Sequence, residues 1–122
     1  MSEAENVTAT LQNNTQYTLY YQSVNVEWGN YYNKNTTIDP KSAAAIFYAV
    51  GAEGAATGCQ GTVIYEFKDQ YGHTQTVTLT YEDPYIGDNS FSTVVPAGMT
   101  EDTPQPQGTS VTITYTIGGA IP

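Results

Sequence analysis

The chain has 122 residues and a mass of 13.2 kDa, the size of one compact domain and too short for two independent cores. Twelve acidic residues against three lysines leave a formal net charge of -9, which speaks against nucleic acid and anionic bilayers as partners, because both reward a basic patch. A single cysteine, Cys59, rules out an intrachain disulfide, and a charged fraction of only 12% beside 39% hydrophobic residues is not the composition of a charge-driven disordered chain.

Most of the sequence alternates with a period of two, threonine outward and an aliphatic or tyrosine inward, which is the pattern of half-buried strands. Val7, Ala9 and Leu11 form one face of a first strand that stops at the turn-prone Asn13-Asn14. Tyr17, Leu19 and Tyr21 then alternate with Thr18, Tyr20, Gln22, Val24 and Val26 in a longer second strand. The next segment is ambiguous. Asp39-Pro40 ahead of Ser42 and three alanines reads as an N-cap, a first-turn proline and helix formers closed by Gly51, whereas Ile46, Phe47, Tyr48 and Val50 are β-formers. Val63, Tyr65 and Phe67 make another strand face, followed by a polar loop at 69–73 in which Gly72 supplies a positive φ. Val77, Leu79 and Tyr81 face opposite to Thr76, Thr78 and Thr80, as in a half-solvated antiparallel sheet. A shorter strand at 91–95 ends at Pro96, and residues 98–108, with Pro104 and Pro106 and no periodicity, read as an exposed loop. Val111, Ile113, Tyr115 and Ile117 alternate with three threonines in the clearest strand of all. Six or seven short strands with little or no helix predict one all-β domain over 1–122, an antiparallel β-sandwich with a flexible N-terminus at 1–5. Its Thr-x-Thr runs are edge material that the fold must cover.

The longest weakly apolar run, residues 43–56, falls short of the roughly 20 residues that span a bilayer and is broken by Gly51, Glu53 and Gly54. Glu3 and Glu5 stand where a secretory signal carries its basic start, so the expectation is a chain made soluble and without a signal peptide. Asn6, Asn13 and Asn35 lie in Asn-x-Thr sequons that an Asn- and Thr-rich chain produces by chance.

Tunable catalytic groups are scarce. His73 is the only histidine and sits in a polar turn; Cys59 has no neighbouring cation in sequence to lower its pKa. One Cys and one His cannot build a four-ligand zinc site, so no metal or other cofactor is expected. Glu82, Asp83 and Asp88 around Pro84-Tyr85-Ile86-Gly87 offer hard oxygens but lack the spacing of an EF-hand, and adjacent Glu82 and Asp83 point to opposite faces of a strand. The expectation is a protein that is not an enzyme.

Tyrosine is what the chain has in excess: eleven copies, with Trp28 and three phenylalanines. Trp28, Tyr31 and Tyr32 cluster around Gly29-Asn30, and Tyr81, Tyr85 and Phe91 around Gly87. Aromatic clusters in turn-rich segments suit a bilayer interface, where a ring is half in apolar surroundings and half hydrogen-bonded. They also suit stacking on sugars.

At this point the residues carry a family resemblance. Asn13-Asn14-Thr15 followed by Tyr17 and Leu19, Trp28-Gly29, Ile38 with Pro40, and the run from Thr57-Gly58-Cys59-Gln60 to Tyr65 resemble the successive motifs of the aegerolysins. Tyr81-Glu82-Asp83-Pro84-Tyr85-Ile86-Gly87-Asp88-Asn89-Ser90-Phe91 is similar to that family's aromatic-acid-Asn/Cys-Pro-aromatic-Gly-Ser-Asn stretch, and the strand from Val111 to Ile117 resembles its last one. The nearest likeness is to the small component, about 14 kDa, of two-component insecticidal crystal toxins of bacilli. The resemblance implies a β-sandwich shared in outline with actinoporins, in which the 43–50 segment is a strand. It also implies a protein that binds target-cell lipid or a receptor and works with a larger pore-forming partner, with a homo-oligomer on the membrane as a further expectation. The implied lipid-facing residues are Trp28, Tyr31, Tyr32, Tyr81, Pro84, Tyr85, Gly87, Asn89 and Phe91. Tyr85 replaces the usual tryptophan, and Asp88 stands where a basic headgroup contact is expected. Storage in a cytoplasmic inclusion or release on lysis, followed by action outside the cell, completes the expectation. Two other readings come from the residues alone: a carbohydrate-binding module using the same tyrosines, and a self-associating structural or storage protein.

Overall fold

The computed structural model describes residues 4–52 and 57–122. Among these residues ten strands form two five-stranded sheets packed face to face. The first sheet has the order β3 (Asn30–Asn33), β5 (Ser42–Val50), β1 (Asn6–Asn13), β10 (Ser110–Gly119), β9 (Met99–Asp102). The second has the order β4 (Thr37–Ile38), β2 (Leu19–Trp28), β6 (Cys59–Lys68), β7 (Thr74–Asp83), β8 (Ser90–Val94). The expected all-β sandwich is therefore the observed one. All pairings are antiparallel except β1 with β10, which run parallel in the register Val7↔Val111 to Asn13↔Ile117.

The alternation in the sequence is the alternation across the sheets. Val7, Ala9 and Leu11 of β1 and Val111, Ile113, Tyr115 and Ile117 of β10 face Val63, Tyr65 and Phe67 of β6 and Val77, Leu79 and Tyr81 of β7, all of them buried. Threonines hold the outer faces, where a β-branched hydroxyl fits a pleated, solvated surface.

One ambiguity is resolved as the resemblance implied, and two expectations are corrected. The segment with helix propensity is strand β5, and a bulge explains why its pattern misleads: Ala9 pairs with Phe47 and Thr10 with Ala45, leaving Ile46 as the extra residue. Ile46 and Phe47 are consequently both buried, which breaks the period of two. In β2, register shifts between Tyr21 and Ser23 and between Val26 and Trp28 put Val24 opposite the buried Val63, so Val24 sits on the core side with Tyr21, not opposite to it. The 98–108 loop contains β9, whose Met99 is buried and whose register runs from Met99↔Gly119 to Asp102↔Thr116.

The flexible N-terminus expected at 1–5 lies partly outside the described residues, but Glu5 itself is buried and its carbonyl accepts from the Gly51 amide at 2.8 Å. Of the apolar run at 43–56, residues 53–56 lie outside the described residues. The Asn13 sequon is spent internally: its buried amide donates to the carbonyls of Tyr17, at 2.8 Å, and Asp39, at 3.1 Å.

Candidate functional site

One end of the sandwich gathers the loops on which the aromatic clusters sit. Asn6 pairs with Ser110 and with Val50, and Val50 pairs with Asn30, so the first sheet ends there. In the second sheet a single row crosses the same end: Trp28↔Gln60, Gln60↔Glu82, Glu82↔Ser90. Gly29, at φ 81°, joins the two sheets, and a Cβ there would lie 2.6 Å from the Val50 carbonyl oxygen and 3.0 Å from Cβ of Cys59. Only a residue without a side chain lets β2 turn into β3 at this point.

Three large side chains stand out of this end. Trp28, the last residue of β2, is 57% exposed, and in the β7–β8 loop Tyr85 is 48% and Ile86 83% exposed. At the strand spacing of about 4.8 Å, Trp28 and the start of that loop are two strands or roughly 10 Å apart. Tyr32 is exposed as well, on the outer face of the first sheet against Tyr48, with ring centroids 6.4 Å apart.

The other members of the implied lipid-facing set have different places. Tyr81 is fully buried, with its ring 4.8 Å from Phe47 and 6.4 Å from Tyr31, and Phe91 is buried edge-on to Tyr115. Tyr31 is half-buried against the same Phe47, and burial pushes its phenol up. Tyr81 and Phe91 hold the core under the loops, and Tyr31 packs against that core while remaining partly exposed. Pro84 is partly buried, Gly87 is exposed with φ 107°, and Asn89 is a buried anchor. The Asn89 side-chain amide donates to the carbonyls of Gly108, at 2.8 Å, and Pro106, at 3.1 Å, which ties the β7–β8 loop to the segment ahead of β10.

Beneath Tyr85 lies a feature that sequence reasoning missed. Glu5, at the entry to β1, and Asp83, at the end of β7, line a cavity of about 170 Å³ with Pro84, Tyr85, Gly87, Asn89, Gly108 and Thr109. Asp83 is buried, and one of its carboxylate oxygens has no hydrogen-bond partner. Burial and then the Glu5 carboxylate push the Asp83 carboxyl up to about 7, offset in part by the Asn6 backbone N–H. The thiol of Cys59, paired across the strands with Asp83, is pushed up to about 12 by burial and then by the same two carboxylates. It is a neutral packing group at physiological pH, as its sequence context suggested. Gly58 has to be glycine here, since a Cβ would meet the Asp83 carbonyl oxygen at 2.1 Å.

Charge is distributed unevenly between the two ends. Among the described residues the aromatic end carries Glu5, Glu27, Glu82, Asp83 and Asp88. Lys41 and Lys68 precede β5 and end β6 at the opposite end, and Lys34 lies midway along β5, its N–H on the Ile46 carbonyl; with them in that half are Asp39, Glu66, Asp69, Glu101 and Asp102, so it is the less negative of the two. His73 is also at that far end, exposed in a turn whose buried Asp69 accepts from the backbone N–H groups of Tyr71 and His73 at 2.9 Å. The Gln75 amide and these donors hold the Asp69 carboxyl below its usual range. Among the described residues no group of three His, Cys, Asp or Glu is placed to hold a metal ion.

No protein-family model and no curated protein matches the chain. Solved structures share its fold, Nakanori and RahU among them. The lipid binding protein Nakanori superposes with a TM-score of 0.75 at 11% identity, over 96% of this chain and 72% of that one. The RahU protein, in complex with a Tris molecule, superposes with a TM-score of 0.63 at 20% identity, over 98% of this chain and 97% of that one. At these identities the likeness establishes a common architecture.

Ile86, the most exposed large apolar side chain among the described residues of this end, is not part of the aromatic pattern that marks its segment in the sequence. An aliphatic residue between Pro84 and Gly87 is a usable signal, because a turn of that kind has no core to bury it in.

Proposed function

We propose that the chain is a membrane-docking protein of the aegerolysin kind, which seats its aromatic end on the lipid surface of a target cell. The observation that carries this reading is the projection of Trp28, Tyr85 and Ile86 from one end of a rigid sandwich. Each such side chain, if fully buried in the interface, contributes about 1.5–3 kcal/mol, enough in combination for reversible attachment. Nakanori, which has this fold, is a lipid binding protein, and that adds support.

The acids of the same end set the kind of membrane. With the Glu27, Glu82 and Asp88 carboxylates and no described lysine near the contact, a zwitterionic surface is favoured over an anionic one. In this reading no residue performs covalent chemistry. The chain acts outside the cell that makes it, as the docking component of an insecticidal or cytolytic toxin, and a larger partner protein supplies the membrane-crossing step.

Flotation with vesicles of insect midgut lipid extract is the direct test. Wild type is expected to float with the vesicles, Ile86→Asp and Trp28→Ala to stay at the bottom, and all three to unfold at similar temperatures. Absence of flotation with midgut lipid and with phosphatidylcholine–sphingolipid–sterol vesicles alike overturns the reading.

A further inference from the structure

The outer face of the second sheet carries a second feature at this end, separate from the loop tip. Below the row Trp28–Gln60–Glu82–Ser90 lies the row Asn25–Thr62–Thr80–Ser92. Between them a groove of about 200 Å³ is lined by Glu27, Gln60, Thr62, Thr80, Glu82 and Ser90, with Gly61 and Tyr81 completing the lining. Its side chains are two carboxylates, a carboxamide and three hydroxyls, and no cation among the described residues neutralises the acids. Gln60 donates to Glu27 at 3.2 Å, which leaves Glu82 unengaged between the neutral Gln60 and Ser90. Tyr81 is fully buried, and its hydroxyl has no partner. Trp28, one position along the row on the β2 side, presents an exposed indole beside Gln60.

We infer that this groove binds an uncharged pyranose. A hexose ring has an apolar C–H face and a rim of vicinal hydroxyls, and each finds its match here. The indole of Trp28 offers the flat apolar plate. Glu82 accepts from two adjacent hydroxyls in charge-assisted hydrogen bonds, while Gln60, Thr62, Thr80 and Ser90 donate or accept as the sugar requires. The surplus of acids selects against sialylated or sulfated sugars. Such a ring is offered by a glycolipid headgroup or by a glycan on protein, and the groove's place beside the docking end lets it reach either at a cell surface. Trp28 serves both this inference and the lipid reading; Glu82 in the groove on the sheet face and Ile86 on the loop serve one each, and it is these two that separate them.

Trp28 is the only tryptophan of the chain, so its fluorescence reports on the groove. Methyl glycosides of glucose, galactose, mannose and N-acetylglucosamine are titrated separately, with backbone amide shifts recorded in parallel. At least one is expected to saturate in the millimolar range, moving the amides of Gln60, Thr62, Thr80 and Glu82. Glu82→Ala is expected to weaken it by at least about tenfold, the loss of its charge-assisted hydrogen bonds, with thermal unfolding unchanged. Ser90→Ala, a smaller change, should weaken it severalfold. No saturable response to any of the four, or shifts confined to other surfaces, overturns the inference. So does a response that only calcium ions produce, and so does wild-type affinity in Glu82→Ala. Phosphatidylcholine vesicles with and without a neutral glycolipid then separate the sources: a glycolipid-dependent gain lost in Glu82→Ala identifies the headgroup, and its absence with retained glycoside binding identifies a protein-borne glycan. Glycoside binding without attachment to any vesicle leaves this site standing and removes the lipid reading; vesicle attachment without glycoside binding does the reverse.

Discussion

Gln107 and Asn89 exchange two hydrogen bonds as though they were partners in a sheet. The Asn89 amide donates to the Gln107 side-chain oxygen at 2.8 Å, and the Gln107 side-chain amide donates to the Asn89 carbonyl at 3.0 Å. Gln105 repeats the arrangement on Phe91, at 3.0 and 2.8 Å, and the hydroxyls of Thr103 and Thr93 continue it at 2.7 Å. The segment 103–107 thus runs antiparallel along β8 and pairs with it through side chains, while Pro104 and Pro106 occupy the intervening positions and offer no N–H. An edge strand that would otherwise present unpaired backbone groups to another chain is closed in this way.

Removing that closure has a definite cost. Gln107→Ala leaves the Asn89 N–H and carbonyl without their partners and is expected to destabilise by about 1–2 kcal/mol. In the pair Gln105→Ala with Gln107→Ala, the open edge of β8 should also promote association. Urea unfolding measures the first effect and light scattering at increasing concentration the second. A double variant as stable and as monomeric as wild type would mean that water closes the edge equally well.

Asp83 predicts a pH dependence of stability with an unusual sign. Its carboxyl is near 3.8 in the unfolded chain and pushed up to about 7 in the folded one, so the native state holds the proton more tightly. The stabilisation is complete below about pH 4 and is lost as pH rises through 7, where a charge appears in a buried site beside Glu5. After allowance for the opening of the cavity to solvent, the loss is on the order of 2 kcal/mol. Asp83→Asn has no such step. The difference in unfolding free energy, variant minus wild type, should grow by that amount between about pH 4 and pH 8; a flat difference removes the buried charge as its cause.

How far the sequence reached depends on how local each feature is. The face of Val111, Ile113, Tyr115 and Ile117 was legible because nothing interrupts its period, and β10 buries all four. β5 was not, since the bulge at Ile46 is defined by its partner β1 and leaves no mark within the segment. The same limit applies to the aromatics. Tyr81 and Tyr85 look alike in sequence, but Tyr81 lies across from a glycine that makes room for its ring, whereas Tyr85 falls after Pro84 in a turn. Glu5 and Asp83 come together only because β1 and β7 belong to facing sheets, and the Gln105 and Gln107 ladder needs β8 in place. The clustering of Trp28 with the 84–87 segment was anticipated; its sorting into core and surface was not.

The room for Tyr81 can be tested directly. A Cβ on Gly61 would lie 2.6 Å from the Tyr81 hydroxyl oxygen and 2.8 Å from the ring carbon that bears it. Phe47 and Tyr31 pack on the ring, so it has nowhere to swing. Gly61→Ala should therefore cost about 1–3 kcal/mol, the usual penalty of overpacking. Tyr81→Phe removes a buried hydroxyl that has no partner, and it should be neutral or stabilising alone and recover part of the loss in the double variant. Thermal unfolding of the four proteins gives the coupling; additive effects would show that the alanine clashes elsewhere.

The uneven charge yields the prediction most specific to docking. Replacing part of the phosphatidylcholine in vesicles with phosphatidylserine sets a negative surface against Glu27, Glu82 and Asp88 and should weaken binding severalfold at low salt. Raising the salt from about 0.01 M to 0.15 M shortens the screening length from roughly 30 to 8 Å and should return most of the loss. Asp88 is exposed beside Gly87 at the tip, so Asp88→Lys should reduce the discrimination between the two vesicle types without changing stability. If phosphatidylserine strengthens binding instead, the contact is made by the opposite half, where Lys34, Lys41 and Lys68 are found, and Trp28, Tyr85 and Ile86 would have to face a partner other than the bilayer.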